Sequence, residues 1–483
     1  MIAERSCVTN SVDQKGDPVV IRTIATILLT LSANSLSAAT LDKTLTCGRP
    51  GEAGGLGSGT DMQRVVIDSR RYPTALCNDS TPAIFYASGF RREEDRNKWV
   101  IFLQGGGGCG SGQECASRWC SAGTNFGMDK MSSSLSKSGI NGTGIFDRRE
   151  SNRFGGWNHV LVYYCSSDNW AGNKLNHLSA SSASGAAIDF DIHFRGSRII
   201  EAVLDTLRKT GVGRVRSVRA GAPTGPPLPD LDDATEVLFS GSSAGGGGVR
   251  NNADKVGGIL RANNIRCSEP SDCPLIYRAA VDASFGPDSS KLDFSSSSFC
   301  ASDPRQCSYE GVFTTRYVST VVGTWGSERD ESCLVWHQTN APGTEWKCSD
   351  GEHLFSHHLS SELFARQDLQ DQLISGNFVE VGLGSALDFG KLMESDLRDF
   401  PTIVSRAEEG PSAAGGKNVA VFAPQCGDHE SVTSNRAFYN VKVTQDGVAY
   451  SFHDVLWNWW SGGFPQVVIR SFSGRAGPAP ECP

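Results

Sequence analysis

Glu236-Val237-Leu238-Phe239-Ser240-Gly241-Ser242-Ser243-Ala244-Gly245 reads as a buried strand, a sharp turn and the first residues of a helix. The apolar run before Ser240 suits a strand covered on both faces. Gly241, Ser243 and Gly245 form G-x-S-x-G, the nucleophile elbow, in which small residues two before and two after the serine leave room for its side chain to project. Ser243 is therefore the candidate nucleophile. In a chain with 54 glycines the bare pattern also fits a flexible Ser/Gly loop, so the flanking sequence has to decide.

Working outward, Trp99-Val100-Ile101-Phe102-Leu103 and His159 to Tyr164 are further short apolar runs, and Ala279 to Val281, Glu362 to Ala365 and Val419 to Phe422 add three more. Between them, Ser197 to Thr210 sets Ile199, Ile200, Val203, Leu204 and Leu207 at spacings of three and four, an amphipathic helix closed by Gly211. Ser451 to Trp460 reads as a closing helix with its tryptophans packed inward. This alternation predicts an α/β fold, a three-layer sandwich of the α/β-hydrolase kind with a mostly parallel central sheet. Residues 216–232 read as a Pro-rich surface insertion and 288–310 as a Ser- and Asp-rich loop.

A serine hydroxyl needs a base, and the base an acid that holds its tautomer, in the chain order Ser, Asp, His. Two aspartates suit the carboxyl edge of the sheet: Asp282, which ends the strand Ala279 to Val281, and Asp368, which follows the strand Glu362 to Ala365 and opens a run with Leu369, Leu373 and Ile374. Asp288 lies farther out in a loop. His429 follows the strand Val419 to Phe422 by a short loop and is the candidate base, whereas His453 falls inside the closing helix and reads as a packed histidine. His353, His357 and His358 have helical metal-ligand spacing, but without H-E-x-x-H they read as a solvated helix, and no metal or other cofactor is expected. Gln104-Gly105-Gly106-Gly107-Gly108-Cys109 supplies the glycine loop from which backbone amides can converge on an oxyanion. Gly105, Gly107 and Gly110 also spell a dinucleotide fingerprint, but no strand ending in an acid follows at the required distance, and Cys109 and Cys115 fall inside the supposed helix.

The chain has 483 residues, 39% hydrophobic and 20% charged, with a formal net charge of -8, which excludes a polytopic membrane protein and offers no basic field for nucleic acid. Its 15 cysteines include no Cys-x-x-Cys pair, and the short separations 109 to 115, 267 to 273 and 300 to 307 suit local disulfide loops in an oxidising compartment. Arg22, the apolar run Thr23 to Leu31 and Leu36-Ser37-Ala38-Ala39 read as a signal peptide over residues 1–39, too short in its apolar part to stay in a membrane. Its removal takes Cys7 and leaves 14 cysteines, enough for seven bridges in a single esterase domain, 40–483. A secreted, periplasmic or extracellular location follows.

Cys77-Asn78-Asp79-Ser80-Thr81-Pro82-Ala83, the glycine loop ending in Cys109, Tyr164-Cys165-Ser166-Ser167-Asp168-Asn169-Trp170-Ala171-Gly172, Phe194-Arg195-Gly196, the elbow 241–246, Val281-Asp282-Ala283-Ser284 and Cys426-Gly427-Asp428-His429-Glu430 are chemically specific pieces. Together they resemble the pectin acetylesterases of plants and bacteria and the animal protein Notum, a family of secreted serine carboxylesterases, over most of residues 77–460. The resemblance implies Ser243 as nucleophile, His429 as base, and Gly106, Gly107 and Ala244 as oxyanion donors. It also implies Asp368 rather than Asp282 as the triad acid, with Asp282 shaping the site. Gln104, Gly108 and Ser284 depart from the family's usual Glu, Trp and Gly, so the implied machinery transfers more safely than the substrate. The expected substrate is an acetyl ester on a pectin-like cell-wall polysaccharide, because few large aliphatic residues adjoin the catalytic loops. The alternatives are a lipidic or protein-bound acyl ester, or a secreted carbohydrate-binding protein that no longer turns over. Asn78-Asp79-Ser80 and Asn141-Gly142-Thr143 are candidate glycosylation sequons.

Overall fold

The computed structural model describes residues 41–475 except 46, 48–57, 122–125, 183–184, 209–227, 271 and 407–417, together with 479 and 482. The chain divides into Met1–Ala38, which with the expected leader lies outside the described residues, and Ala39–Pro483, which holds the whole sheet. Most of the expected Pro-rich insertion, through residue 227, also lies outside them.

The strands are β1 (Ser58–Val66), β2 (Ile84–Ser88), β3 (Lys98–Leu103), β4 (Gly139–Ile140), β5 (Asn158–Val162), β6 (Lys174–Ser181), β7 (Ala187–Phe194), β8 (Glu236–Ser242), β9 (Ile276–Asp282), β10 (Glu362–Arg366), β11 (Val419–Ala423), β12 (Lys442–Gln445), β13 (Val448–Ser451) and β14 (Val467–Ile469). Ten of them make one sheet in the order β14-β11-β10-β9-β8-β3-β5-β2-β1-β4. From β14 to β5 every pairing is parallel, and β2, β1 and β4 extend that edge by antiparallel pairing. Helices on both faces complete the α/β-hydrolase-like sandwich that the alternation predicts.

The parallel strands are apolar along their whole length because both faces are covered: Val237, Leu238 and Phe239 of β8 are all buried. Helix Gly196–Arg208 turns Ile199, Ile200, Val203, Leu204 and Leu207 into the same core, each side chain contributing about 1.5–3 kcal/mol by burial. The closing helix Phe452–Ser461 buries Val455, Leu456, Trp459 and Trp460, and Trp460 meets Trp157 edge to face. Register then lines up the carboxyl ends. Ser242 stands opposite Asp282, and Asp282 opposite Arg366, so the elbow, a carboxylate and a guanidinium become neighbours.

Seven disulfides join Cys47–Cys120, Cys77–Cys165, Cys109–Cys115, Cys267–Cys273, Cys300–Cys307, Cys333–Cys348 and Cys426–Cys482, which uses all 14 cysteines expected after removal of the leader. Residues 288–310 are not all loop, for they include the short helix Ser298–Ser302. Among the described residues no helix is long and apolar enough to cross a membrane.

Candidate active site

Ser243 sits between the end of β8 and helix Ala244–Asn263 with φ 54° and ψ -123°, a backbone conformation a non-glycine residue adopts only under constraint. The flanking glycines are required by contact distance. A Cβ at Gly245 would lie 1.9 Å from the Leu103 carbonyl oxygen, and one at Gly241 2.4 Å from that of Gly245. Ser243 N–H donates to the Asp282 carbonyl at 2.9 Å, which ties the turn to the neighbouring strand.

His429, in the loop after β11, places Nε2 2.8 Å from Ser243 Oγ. Its Nδ1 lies 3.0 and 2.9 Å from the two carboxylate oxygens of Asp371. Asp371 is fully buried and is the N-cap of helix Gln372–Glu380. It accepts from the amides of Leu373 at 3.0 Å and Ile374 at 3.1 Å and from Gln367 Nε2 at 2.9 Å, so its charge is held by donors at a helix N-terminus. Burial presses the His429 imidazolium down, but the hydrogen bond and charge of Asp371, with Glu430 and Asp282 beyond, leave its pKa raised above the ordinary value.

The carboxylate that meets His429 is thus Asp371 and not the expected Asp368. Asp368 turns away from the histidine and accepts from Arg366 Nη2 at 2.5 Å, while Arg366 Nη1 donates to Asp282 at 3.0 Å. All three are buried, and a buried guanidinium needs that countercharge. Burial, partly offset by Arg366, lifts Asp368 to about 7. Asp282 accepts from Ser242 Oγ at 2.8 Å and from the amides of Ser431 and Val432 at 2.8 and 2.9 Å, joining the elbow to the histidine loop. Asp288 caps a short turn at Ser289–Lys291 and pairs with Lys291 at 3.4 Å, away from His429. His453 accepts from Arg153 N–H and packs on Phe154, Phe438 and Tyr439.

The glycine loop runs beside Ser243: a Cβ at Gly105 would stand 3.0 Å from Ser243 Cβ. Gly106 (φ 145°) and Gly107 (φ 67°) use backbone that glycine tolerates, and their carbonyls accept from Arg118 Nη2 at 2.5 Å and Tyr164 OH at 2.7 Å. With those carbonyls engaged by the scaffold, the loop is held as a unit. Ala244, the first residue of the helix after Ser243, presents an amide of the first helical turn.

A family model described as Pectinacetylesterase matches residues 57–219. Over 76% of its length the chain is 29% identical to palmitoleoyl-protein carboxylesterase notum2 of Xenopus laevis, of which it covers 62%. It is 26% identical to notum1a of Danio rerio over 75% of this chain and 59% of the relative, and 26% identical to human NOTUM over 74% and 60%. The chain is thus similar to pectin acetylesterases over residues 57–219 and to the Notum carboxylesterases over about three quarters of its length. It spans about three fifths of the length of these relatives.

Two cavities lie beside the loops that carry the glycine run and His429. One, of about 630 Å³, is lined by His429, Lys130, Gln372, Asp428 and Glu430 together with the apolar Phe102, Phe126, Leu161 and Leu373. Burial raises Glu430 and lowers Lys130, and each charge partly offsets the other. The second, of about 750 Å³, runs from Gly108, Asn169 and Ile374 to Leu292, Phe294, Val312, Phe313, Phe378 and Phe389. Those apolar walls come from segments far in sequence from the elbow and the glycine loop, so the scarcity of large aliphatic residues next to those loops does not by itself make the site small. Gln104, where the family usually has Glu, braces the loop: its Oε1 accepts from Tyr164 N–H and its carbonyl from Trp170 Nε1, both at 3.1 Å.

Two sequence readings change. His358 and His337 are fully buried and His353 half-buried in contact with them, so the expected solvated helix is not what these histidines form. Asn78 is fully buried, donating to the Ser166 and His193 carbonyls, so its sequon is closed to a glycan in the folded protein, whereas Asn141 is exposed. The signal that could have found Asp371 was a helix start: an aspartate directly before a run with Ile374 and Phe378 four apart.

Proposed function

We propose that the protein is an exported serine carboxylesterase acting through an acyl-serine intermediate on Ser243. The observation that carries this is the unbroken chain Ser243 Oγ to His429 Nε2 and His429 Nδ1 to Asp371 at the carboxyl edge of the sheet. His429 would take the Ser243 proton as Oγ attacks the ester carbonyl, and return it to the leaving alcohol. It would then activate water for deacylation. Asp371 holds Nδ1–H and stabilises the imidazolium, while the amides of Gly106, Gly107 and Ala244 would receive the oxyanion.

For the acyl group, the larger cavity favours a chain longer than acetyl, with about 0.8 kcal/mol gained per buried CH₂. The relatives named palmitoleoyl-protein carboxylesterases are consistent with that reading. Acetyl release from a pectin-like polysaccharide is the second reading, favoured by the description of the matching family model and by Lys130, Gln372, Asp428 and Glu430 in the cavity at His429, which can hydrogen-bond a hydroxyl-rich alcohol group. Labelling by a fluorophosphonate probe, lost in Ser243→Ala, tests the nucleophile; no labelling of folded protein would return the chain to a binding role. A p-nitrophenyl ester series then separates the acyl readings. Rising kcat/KM from acetate through octanoate supports the longer chain, and a steady fall supports the acetylesterase.

A further inference from the structure

Away from the triad, in the segment between β9 and β10, three imidazoles point their Nε2 atoms at one place. His337 Nε2 lies 3.0 Å and His358 Nε2 3.2 Å from His353 Nε2. The tautomer of His337 follows from its neighbour. Thr344 Oγ1 donates its single proton to the Ala341 carbonyl at 2.5 Å, so His337 Nδ1–H must be the donor to Thr344 Oγ1 at 2.7 Å, and Nε2 carries a lone pair. His353 Nε2 then has at most one proton to share between two neighbouring nitrogens, an arrangement that hydrogen bonding alone serves badly. Nitrogens bound at about 2.05 Å around a tetrahedral ion stand about 3.3 Å apart, close to the spacings here.

We propose that His337, His353 and His358 bind a first-row divalent metal, zinc in the first place, through their Nε2 atoms. Three neutral imidazoles with one open position are a zinc ligand set, and the Thr344 contact is the kind of outer hydrogen bond that orients a ligating histidine. Cys333 Sγ lies within 4.8 Å of the same atoms but is spent in the bridge to Cys348, so the fourth ligand is water. A cavity of about 220 Å³ lined by His353, Asp350 and Glu352 gives that water room and the ion an acidic path inward. The ion would clamp helix Glu331–Asn340 to the turn Gly351–His358, and Glu352, next to His353, accepts from the Gly286 amide at 2.6 Å on the wall of the apolar cavity. The site is a brace for that wall rather than part of the ester chemistry.

The test is metal stripping with a chelator, reloading with zinc, desalting and elemental analysis of the full chain. About one zinc per chain in the parent protein, and none in His353→Gln shown by circular dichroism to be folded, is the expected result. Cobalt substitution in the parent protein should give the strong visible band of a tetrahedral site and needs no variant. Ser243→Ala should keep the metal. Failure of the parent protein to hold zinc, or equal retention by folded His353→Gln, overturns the proposal. If His353→Gln does not fold, the cobalt spectrum decides: an octahedral band or none sinks it.

Discussion

Asp368 and Asp371 are three residues apart and both buried, yet what surrounds their charge differs. Asp371 receives two backbone amides, a glutamine and the histidine, whereas Asp368 faces a buried arginine that it shares with Asp282. Ser243→Ala should lose about 10⁴ or more in turnover on a chromogenic ester, with Ser242→Ala losing far less. Asp371→Asn should cost about 10³ to 10⁴ in kcat with little loss of stability, while Asp368→Asn should keep most activity and lose about 3–5 kcal/mol in urea unfolding by leaving Arg366 undercompensated. The reverse order in folded variants would restore Asp368 as the acid. The pH profile separates them again. His429 accepts a proton only when neutral, and Asp371 raises its pKa, so kcat/KM should fall on acidification through a midpoint above the ordinary imidazole value. Removing the carboxylate in Asp371→Asn takes away what stabilises the imidazolium, so the midpoint should move to lower pH. A midpoint that stays put would mean that Asp371 does not set the His429 charge. That Ser243 and His429 stand at one edge of the sheet was legible in the sequence because Ser243 directly follows an apolar strand and His429 follows another by a short loop. The carboxylate that reaches His429 was not, because it depends on which of two aspartates the chain turns inward after β10, and the need of Arg366 for countercharge decides that.

The elements divide the same way. Parallel strands buried on both faces announce themselves as short apolar runs, and β3, β5, β8, β9, β10 and β11 were legible for that reason. The hairpin β6–β7 was missed although Ala187-Ile188-Asp189-Phe190-Asp191-Ile192-His193-Phe194 alternates cleanly, since attention to continuous runs passes over a strand with one polar face. The apolar wall of the larger cavity was illegible because Leu292, Phe294, Val312 and Phe313 are brought to the catalytic edge only by the fold of the segment after β9. A filling substitution at that wall is the matching test. Leu292→Trp should cut kcat/KM for octanoate about tenfold or more and leave acetate within about threefold, because one or two lost methylene sites are worth about 1–3 kcal/mol. Equal loss on both esters would mean that the cavity does not hold the acyl chain.

At the scale of the whole molecule the seven bridges are a second scaffold laid over the sheet. The three pairs at separations of 6, 6 and 7 were legible, because cysteines so close together close their own loops, but pairs such as Cys77–Cys165 and Cys426–Cys482 needed the fold to bring them together. Thiol titration of denatured, unreduced protein from an oxidising compartment should find none of these 14 free, and two or more titrating thiols would refute full pairing. The bridges should not count equally. If each acts mainly by restricting the unfolded chain, its effect grows with the logarithm of the loop it closes, which gives about 4.6 kcal/mol for the separation of 88 at Cys77–Cys165 and about 2.2 for the separation of 6 at Cys267–Cys273. Paired serine substitutions should therefore lower the urea midpoint about twice as far at Cys77 and Cys165 as at Cys267 and Cys273. Equal or inverted losses would show that native packing around each bridge, rather than loop closure in the unfolded chain, is what the disulfides contribute to this fold.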